Sequence, residues 1–200
     1  MCSSDLFASM GWGNMMGSES GDTFLPSELP GLKAWYRYGV GITVDGAGVN
    51  KWADQSGNGN DLLQAITARK PSKEADGSIL FDGVDDHLKA VAFTLVQPET
   101  VYFLGKTVSF ASGGRLYDGN AGNSMGAYQN STTVLTVVGG SLLASNADWV
   151  VGTYHVLSTI YNAALSSVQI DSNAEKAGQA GASAGGGYTL GAFGGLGSYS

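Results

Sequence analysis

Two carboxylates on one strand, in the order E-x-D-x-x-E, would equip a β-sheet face for retaining glycoside cleavage, which needs the carboxyls about 5 Å apart. The chain offers one E-x-D, Glu74-Ala75-Asp76, and the position three further on is Ile79, so that acid–nucleophile pair is absent. Gly122-Asn123-Ser124-Met125-Gly126 has the G-x-S-x-G spacing of a nucleophile elbow. Such an elbow works only at a sharp strand-to-helix turn, with an acid and then a histidine later in the chain. The residues that follow, Ala127-Tyr128-Gln129-Asn130-Ser131-Thr132, read as strand or loop. His87 and His155 have no serine or cysteine partner at a recognisable spacing and are expected to be solvent-facing strand residues. No catalytic residue is assigned.

Oxygen-rich turns are the next candidates. Asp54-Gln55-Ser56-Gly57-Asn58-Gly59-Asn60 has the look of a calcium loop, but the twelfth position of an EF-hand, where a bidentate Glu is required, is Ala65. Asp82, Gly83, Asp85 and Asp86 form a second acidic turn. Asp and Asn side chains that bond their own backbone, with glycines at positive φ, build such turns without any ion. Asp54, Ser56, Gly57, Asn58, Gly59, Asp82 and Gly83 are therefore read as structural turn residues, and no cofactor is expected. If a metal binds at all, Asp54, Asn58, Asp82 and Asp85 would hold Ca²⁺ at the weak, extracellular end of its affinity range.

A third constellation suits recognition. Tyr117-Asp118-Gly119-Asn120-Ala121-Gly122-Asn123 and Tyr128-Gln129-Asn130 combine aromatic rings with Asp and Asn in glycine-rich loops. A stacking face beside planar polar groups is what sugar hydroxyls require, and loops on a rigid scaffold carry such sites. Tyr117, Asp118, Asn120, Asn123, Tyr128 and Asn130 are the candidate carbohydrate-binding residues.

The elements that must position these residues are strands. Asp45-Gly46 and Gly139-Gly140 separate apolar runs as hairpin turns do, and short β-branched or aromatic runs recur at residues 32–38, 78–81, 87–93, 101–104, 150–161, 165–170 and 188–193. No window of helical length keeps an apolar stripe, and residues 61–67 offer a turn or two at most. Strands at this spacing predict an all-β, two-sheet antiparallel β-sandwich. Thirty-one glycines in 200 residues fit its tight turns. A net charge of −7 argues against nucleic acid, and no apolar run is long enough for membrane insertion. One cysteine and two histidines cannot supply a four-ligand zinc site. Residues 1–28 read as an N-terminal linker. Within it Cys2-Ser3-Ser4-Asp5-Leu6 matches the translation of a common sequencing-adaptor end, so residues 1–6 are read as a scar.

Three segments carry a family resemblance: Leu32-Lys33-Ala34-Trp35-Tyr36, Trp52-Ala53-Asp54-Gln55-Ser56-Gly57-Asn58-Gly59-Asn60-Asp61, and Phe81-Asp82-Gly83-Val84-Asp85-Asp86. In this order they resemble the laminin-G-like jelly-roll domains of the concanavalin A-like lectin/glucanase superfamily, over residues 29–200. The resemblance implies a concanavalin A-like jelly roll whose closing strand, normally beside the first strand, is missing. An apolar, unpaired edge is then expected at residues 32–38 or 188–193. It also implies a non-catalytic recognition or adhesion module for a glycan or cell-surface ligand, within a larger virion or extracellular protein. The alternatives are a structural spacer or assembly domain of a phage fibre, as a homo-oligomer, and an accessory domain of a glycoside hydrolase.

Overall fold

A computed structural model describes residues 2–5 and 25–194. The chain runs through β1 (Cys2–Asp5), β2 (Ile42–Asp45), β3 (Gly48–Trp52), β4 (Leu62–Leu63), β5 (Ser72–Lys73), β6 (Ile79–Phe81), β7 (Leu88–Ala90) and β8 (Glu99–Thr107). It continues through β9 (Arg115–Gly119), β10 (Ser124–Gln129), β11 (Leu135–Gly139), β12 (Leu142–Ala144), β13 (His155–Tyr161), β14 (Ser166–Ile170), β15 (Lys176–Gly178) and β16 (Tyr188–Leu190). Helical structure among the described residues is confined to the 3₁₀ turns Pro26–Glu28 and Thr67–Arg69, and no helix there is long and apolar enough to cross a membrane.

The strands form two sheets, in the orders β15-β14-β13-β8-β1-β6-β5 and β12-β11-β10-β9-β16-β7-β4-β3-β2. Pairing is antiparallel throughout, and the fold is the all-β sandwich that the turn spacing predicts. The two hairpins cued by Asp45-Gly46 and Gly139-Gly140 form as β2–β3 and β11–β12.

Alternation buries one face of each long strand, as in β8, where Val101, Phe103, Gly105 and Thr107 are buried and the residues between them are partly exposed. Trp52 is fully buried beside Tyr36, with ring centroids 5.8 Å apart, and its Nε1 donates to the carbonyls of Arg37 and Val40. Hydroxyls also bridge the two layers. The Tyr117 hydroxyl of β9 lies 3.2 Å from both Thr159 Oγ1 and the Tyr161 hydroxyl of β13, and Tyr161 donates to the Gly126 carbonyl of β10 at 2.7 Å.

Several expectations need correction. Residues 32–38 form no strand, because their polar backbone groups turn to the loop at 54–60: Trp35 N–H donates to Asp54 Oδ1, and Gln55 N–H donates to the Trp35 carbonyl. Tyr188–Leu190 is no edge, since β16 lies between β9 and β7. Cys2–Asp5 is a strand between β6 and β8 rather than linker. The rest of the expected linker, residues 6–24, lies outside the described residues. His155 is buried, not solvent-facing. It packs on Trp149, its Nδ1 lies 2.6 Å from Asp171 Oδ2, and its Nε2 accepts from Val150 N–H. Next to it, Tyr154 is 42% exposed, with Lys106 Nζ 4.6 Å from its ring centroid.

Candidate functional site

The six sugar-binding candidates separate. Tyr117 faces inward on β9, wholly buried between Phe103 and Tyr188, and burial pushes its hydroxyl up to about 12. It presents no stacking face. Asn120 is likewise committed: its Nδ2 donates to the carbonyls of Ala90 and Gly186, and its Oδ1 accepts from Thr189 Oγ1. Asn130 is exposed, but it follows the far end of β10, at the opposite end of the hairpin from the 119–124 turn. These three leave the candidate site.

Asp118, Asn123 and Tyr128 stay together, joined by Arg115, a residue the sequence reading missed. The Arg115 guanidinium carbon sits 4.4 Å from the Tyr128 ring centroid and 5.1 Å from that of Phe193. Its Nη2 donates to Asn123 Oδ1 at 2.7 Å, and its Nε lies 4.0 Å from Asp118 Oδ2.

The local sequence explains this assembly. A register shift between Ala127 and Tyr128 brings Arg115 opposite Tyr128. Asp118, fully buried, accepts from the backbone N–H groups of Gly119, Asn123, Ser124 and Gly194, fixing the hairpin turn. Gly126 must be glycine, since a Cβ there would lie 2.5 Å from Asp118 Oδ1. Asn123 holds φ +51°, a region that Asn tolerates better than most residues. Burial raises the Asp118 carboxyl, and the Arg115 charge and these backbone donors oppose that rise. The one arginine among these glycine-rich segments was the available signal.

The turn motifs behave as turns. Asp54 Oδ1 accepts from Trp35 and Ser56 N–H, and its Oδ2 accepts from Asn60 N–H and Ser56 Oγ. Asn58 Nδ2 donates to the carbonyls of Leu32 and Lys33. Gly57 and Gly59 adopt φ of +88° and +74° with open space around them, so conformation rather than crowding selects glycine. The motif therefore straps residues 32–35 to the 54–60 loop. In the second turn, Asp82 Oδ1 accepts from the N–H groups of Val84, Asp85 and Asp86, and Asp86 Oδ2 accepts from Asp82 N–H. Ligand-capable oxygens of Asp82, Asp85 and Asp86 lie within 4.8 Å of one another, and one oxygen each of Asp82 and Asp86 is engaged in closing the turn. Burial works to raise the Asp82 carboxyl, and its backbone donors hold it below the usual range. Ser124 of the G-x-S-x-G stretch begins strand β10, not a helix, and is buried.

A second feature was not anticipated. Residues 29–35 and 99–102, with Tyr188, line a cavity of about 210 Å³. Trp35 Nε1 and the Tyr188 hydroxyl are buried there and have no hydrogen-bond partner among the described residues. Burial lifts the Glu99 carboxyl to about 7, against the opposing field of Lys33.

Searches against protein-family models, curated proteins and solved structures found no match to this chain.

Proposed function

We propose that this chain is a non-catalytic recognition module that binds a glycan on a cell surface, as part of a larger virion or extracellular protein. One observation carries the reading: Arg115 is held between the rings of Tyr128 and Phe193 while bonded to the exposed Asn123 amide. A half-exposed ring, an amide and a guanidinium set side by side on a braced hairpin supply a stacking surface and planar donors. Guanidinium is the strongest of these groups for a ligand carboxylate, so acidic sugars are the favoured class. The resemblance of the two turn motifs to laminin-G-like jelly rolls supports the same reading.

A glycan array with neutral and acidic sugars tests it. The chain should be retained on acidic glycans, and Tyr128→Ala should weaken retention at least tenfold. The Arg115 side chain is only 13% exposed, so losing the cation–π contact costs up to about 2 kcal/mol and melting should fall by no more than that loss implies. Asn130→Ala, at the other end of β10, should leave retention unchanged. A chain retained on no glycan would overturn the proposal and leave the spacer reading.

A further inference from the structure

Asn58 sits where residues 32–35 are strapped to the 54–60 loop, and it serves there as a donor. Its Nδ2 donates to the carbonyl of Leu32 at 2.7 Å, to that of Lys33 at 3.1 Å and to Ser56 Oγ at 3.1 Å. Ser56 Oγ in turn gives its own proton to Asp54 Oδ2 at 2.7 Å. All three groups facing the amide nitrogen are therefore acceptors. The next residue is glycine, and of the chain's asparagines only Asn58 precedes one. Both residues are exposed, and Gly59 holds φ +74° with nothing within 4 Å of where a Cβ would stand.

We propose that Asn58 is a site of spontaneous deamidation, at which the side chain that straps the loop becomes a charge that repels what it held. The Gly59 backbone nitrogen gives up its proton to water and bonds Asn58 Cγ. The Cγ–Nδ2 bond breaks, and Nδ2 takes a proton from water and leaves as ammonia. One water then opens the cyclic imide. Cleavage of the new nitrogen–Cγ bond leaves an ordinary aspartate, and cleavage at the backbone carbonyl leaves isoaspartate, with the main chain rerouted through Cβ and Cγ. Glycine favours the attack because no side chain obstructs its nitrogen. Water is the other reactant, and the exposed loop admits it.

The consequence follows from donor and acceptor counts. A carboxamide has two N–H donors, whereas an ionised carboxylate only accepts. At position 58 a carboxylate would face the Leu32 and Lys33 carbonyls and a Ser56 oxygen whose proton is already given to Asp54. It would also add negative charge across that hydroxyl from Asp54. Asn60 Nδ2 still holds the Lys33 carbonyl at 2.7 Å, and Asp54 still accepts from Trp35 N–H. The strap therefore loosens without detaching, and loss of ammonia makes the change one-way.

The test ages the full chain in warm, mildly alkaline buffer and reads its peptides by mass spectrometry, with an isoaspartate-specific methylation assay. Asn58 should convert about tenfold faster than any other asparagine, because each of the others precedes a residue with a side chain. Asn60 is the nearest control, since it donates to the same carbonyl and precedes Asp61. In Asn58→Asp, hydrogen exchange at the Trp35 and Gln55 amides, which join the two segments, should quicken about tenfold. Asn58→Ala removes the donor without adding the charge and should quicken it less. Where Asn58→Asp does not fold, the same amides are read in the aged chain, whose converted fraction is separated by charge. Any of three results overturns the proposal: Asn58 intact after other asparagines have converted, exchange in the converted chain equal to the parent, or Asn58→Ala exchanging as fast as Asn58→Asp.

Discussion

Two partly or wholly buried carboxylates, Asp118 and Glu99, are raised by the same cause, loss of water, and their surroundings are opposite. Asp118 sits among four backbone donors and near a guanidinium, all contributed by one hairpin and the chain following β16. Glu99 begins β8 and lines the cavity with an indole and a phenol that have no hydrogen-bond partner among the described residues. A buried charge is tolerated when its hydrogen bonds are made, and burying it without them is costly. The first region is therefore satisfied by its own donors, whereas in the second Trp35 Nε1 and the Tyr188 hydroxyl have no hydrogen-bond partner among the described residues.

The largest expected effect is at Asp118. Asp118→Ala strips the acceptor from the turn's donors and leaves Arg115 uncompensated, so urea unfolding should show a loss of about 3–5 kcal/mol. A cost below 1 kcal/mol would erase the contrast with Glu99. Glu99 should respond to pH instead. Its carboxyl keeps its proton in the folded chain up to about pH 7, whereas the unfolded chain loses it near 4.5. Between those values the folded state binds more protons, so stability falls as pH rises from 4.5 to 7 and levels off above that. Lys33 is the charged group facing Glu99, and its field opposes the rise. Glu99→Gln should remove this component of the pH slope, and an unchanged slope would place its origin elsewhere. The smallest effect concerns the acidic turns. Because Asp54 and Asp82 are engaged by protein donors, millimolar Ca²⁺ should leave the melting temperature unchanged. A ligand present at 100 times its dissociation constant would add about 2.7 kcal/mol, so a rise of several degrees would show that the turns take an ion.

What could be read from the residues was local chemistry. Asp45-Gly46, Gly139-Gly140 and the Asp54 to Asn60 turn encode their conformations within a few residues, and each forms where expected. What could not be read depended on partners distant in sequence. Residues 32–38 carry strand-forming residue types, but a strand needs a neighbour, and the 54–60 loop claims its backbone instead. Tyr117 and Tyr128 looked alike as loop aromatics. The register shift in the β9–β10 pair sends one into the core and leaves the other on the surface beside Arg115. His155 looked solvent-facing because nothing nearby in sequence announces Asp171 or Trp149 as its neighbours.

The hydroxyl chain of Tyr117, Thr159 and Tyr161 between the layers has a mechanical meaning. Aliphatic side chains grip without direction, so two greasy sheets could slide past each other by a fraction of a residue at small cost. Hydroxyls that must meet one another and the Gly126 carbonyl act as a key in a lock, and sliding would strand them in a dry interior. Burial lifts both tyrosines above their ordinary titration range, so neither ionises at neutral pH. The alignment of the two sheets should therefore resist shear across the physiological pH range.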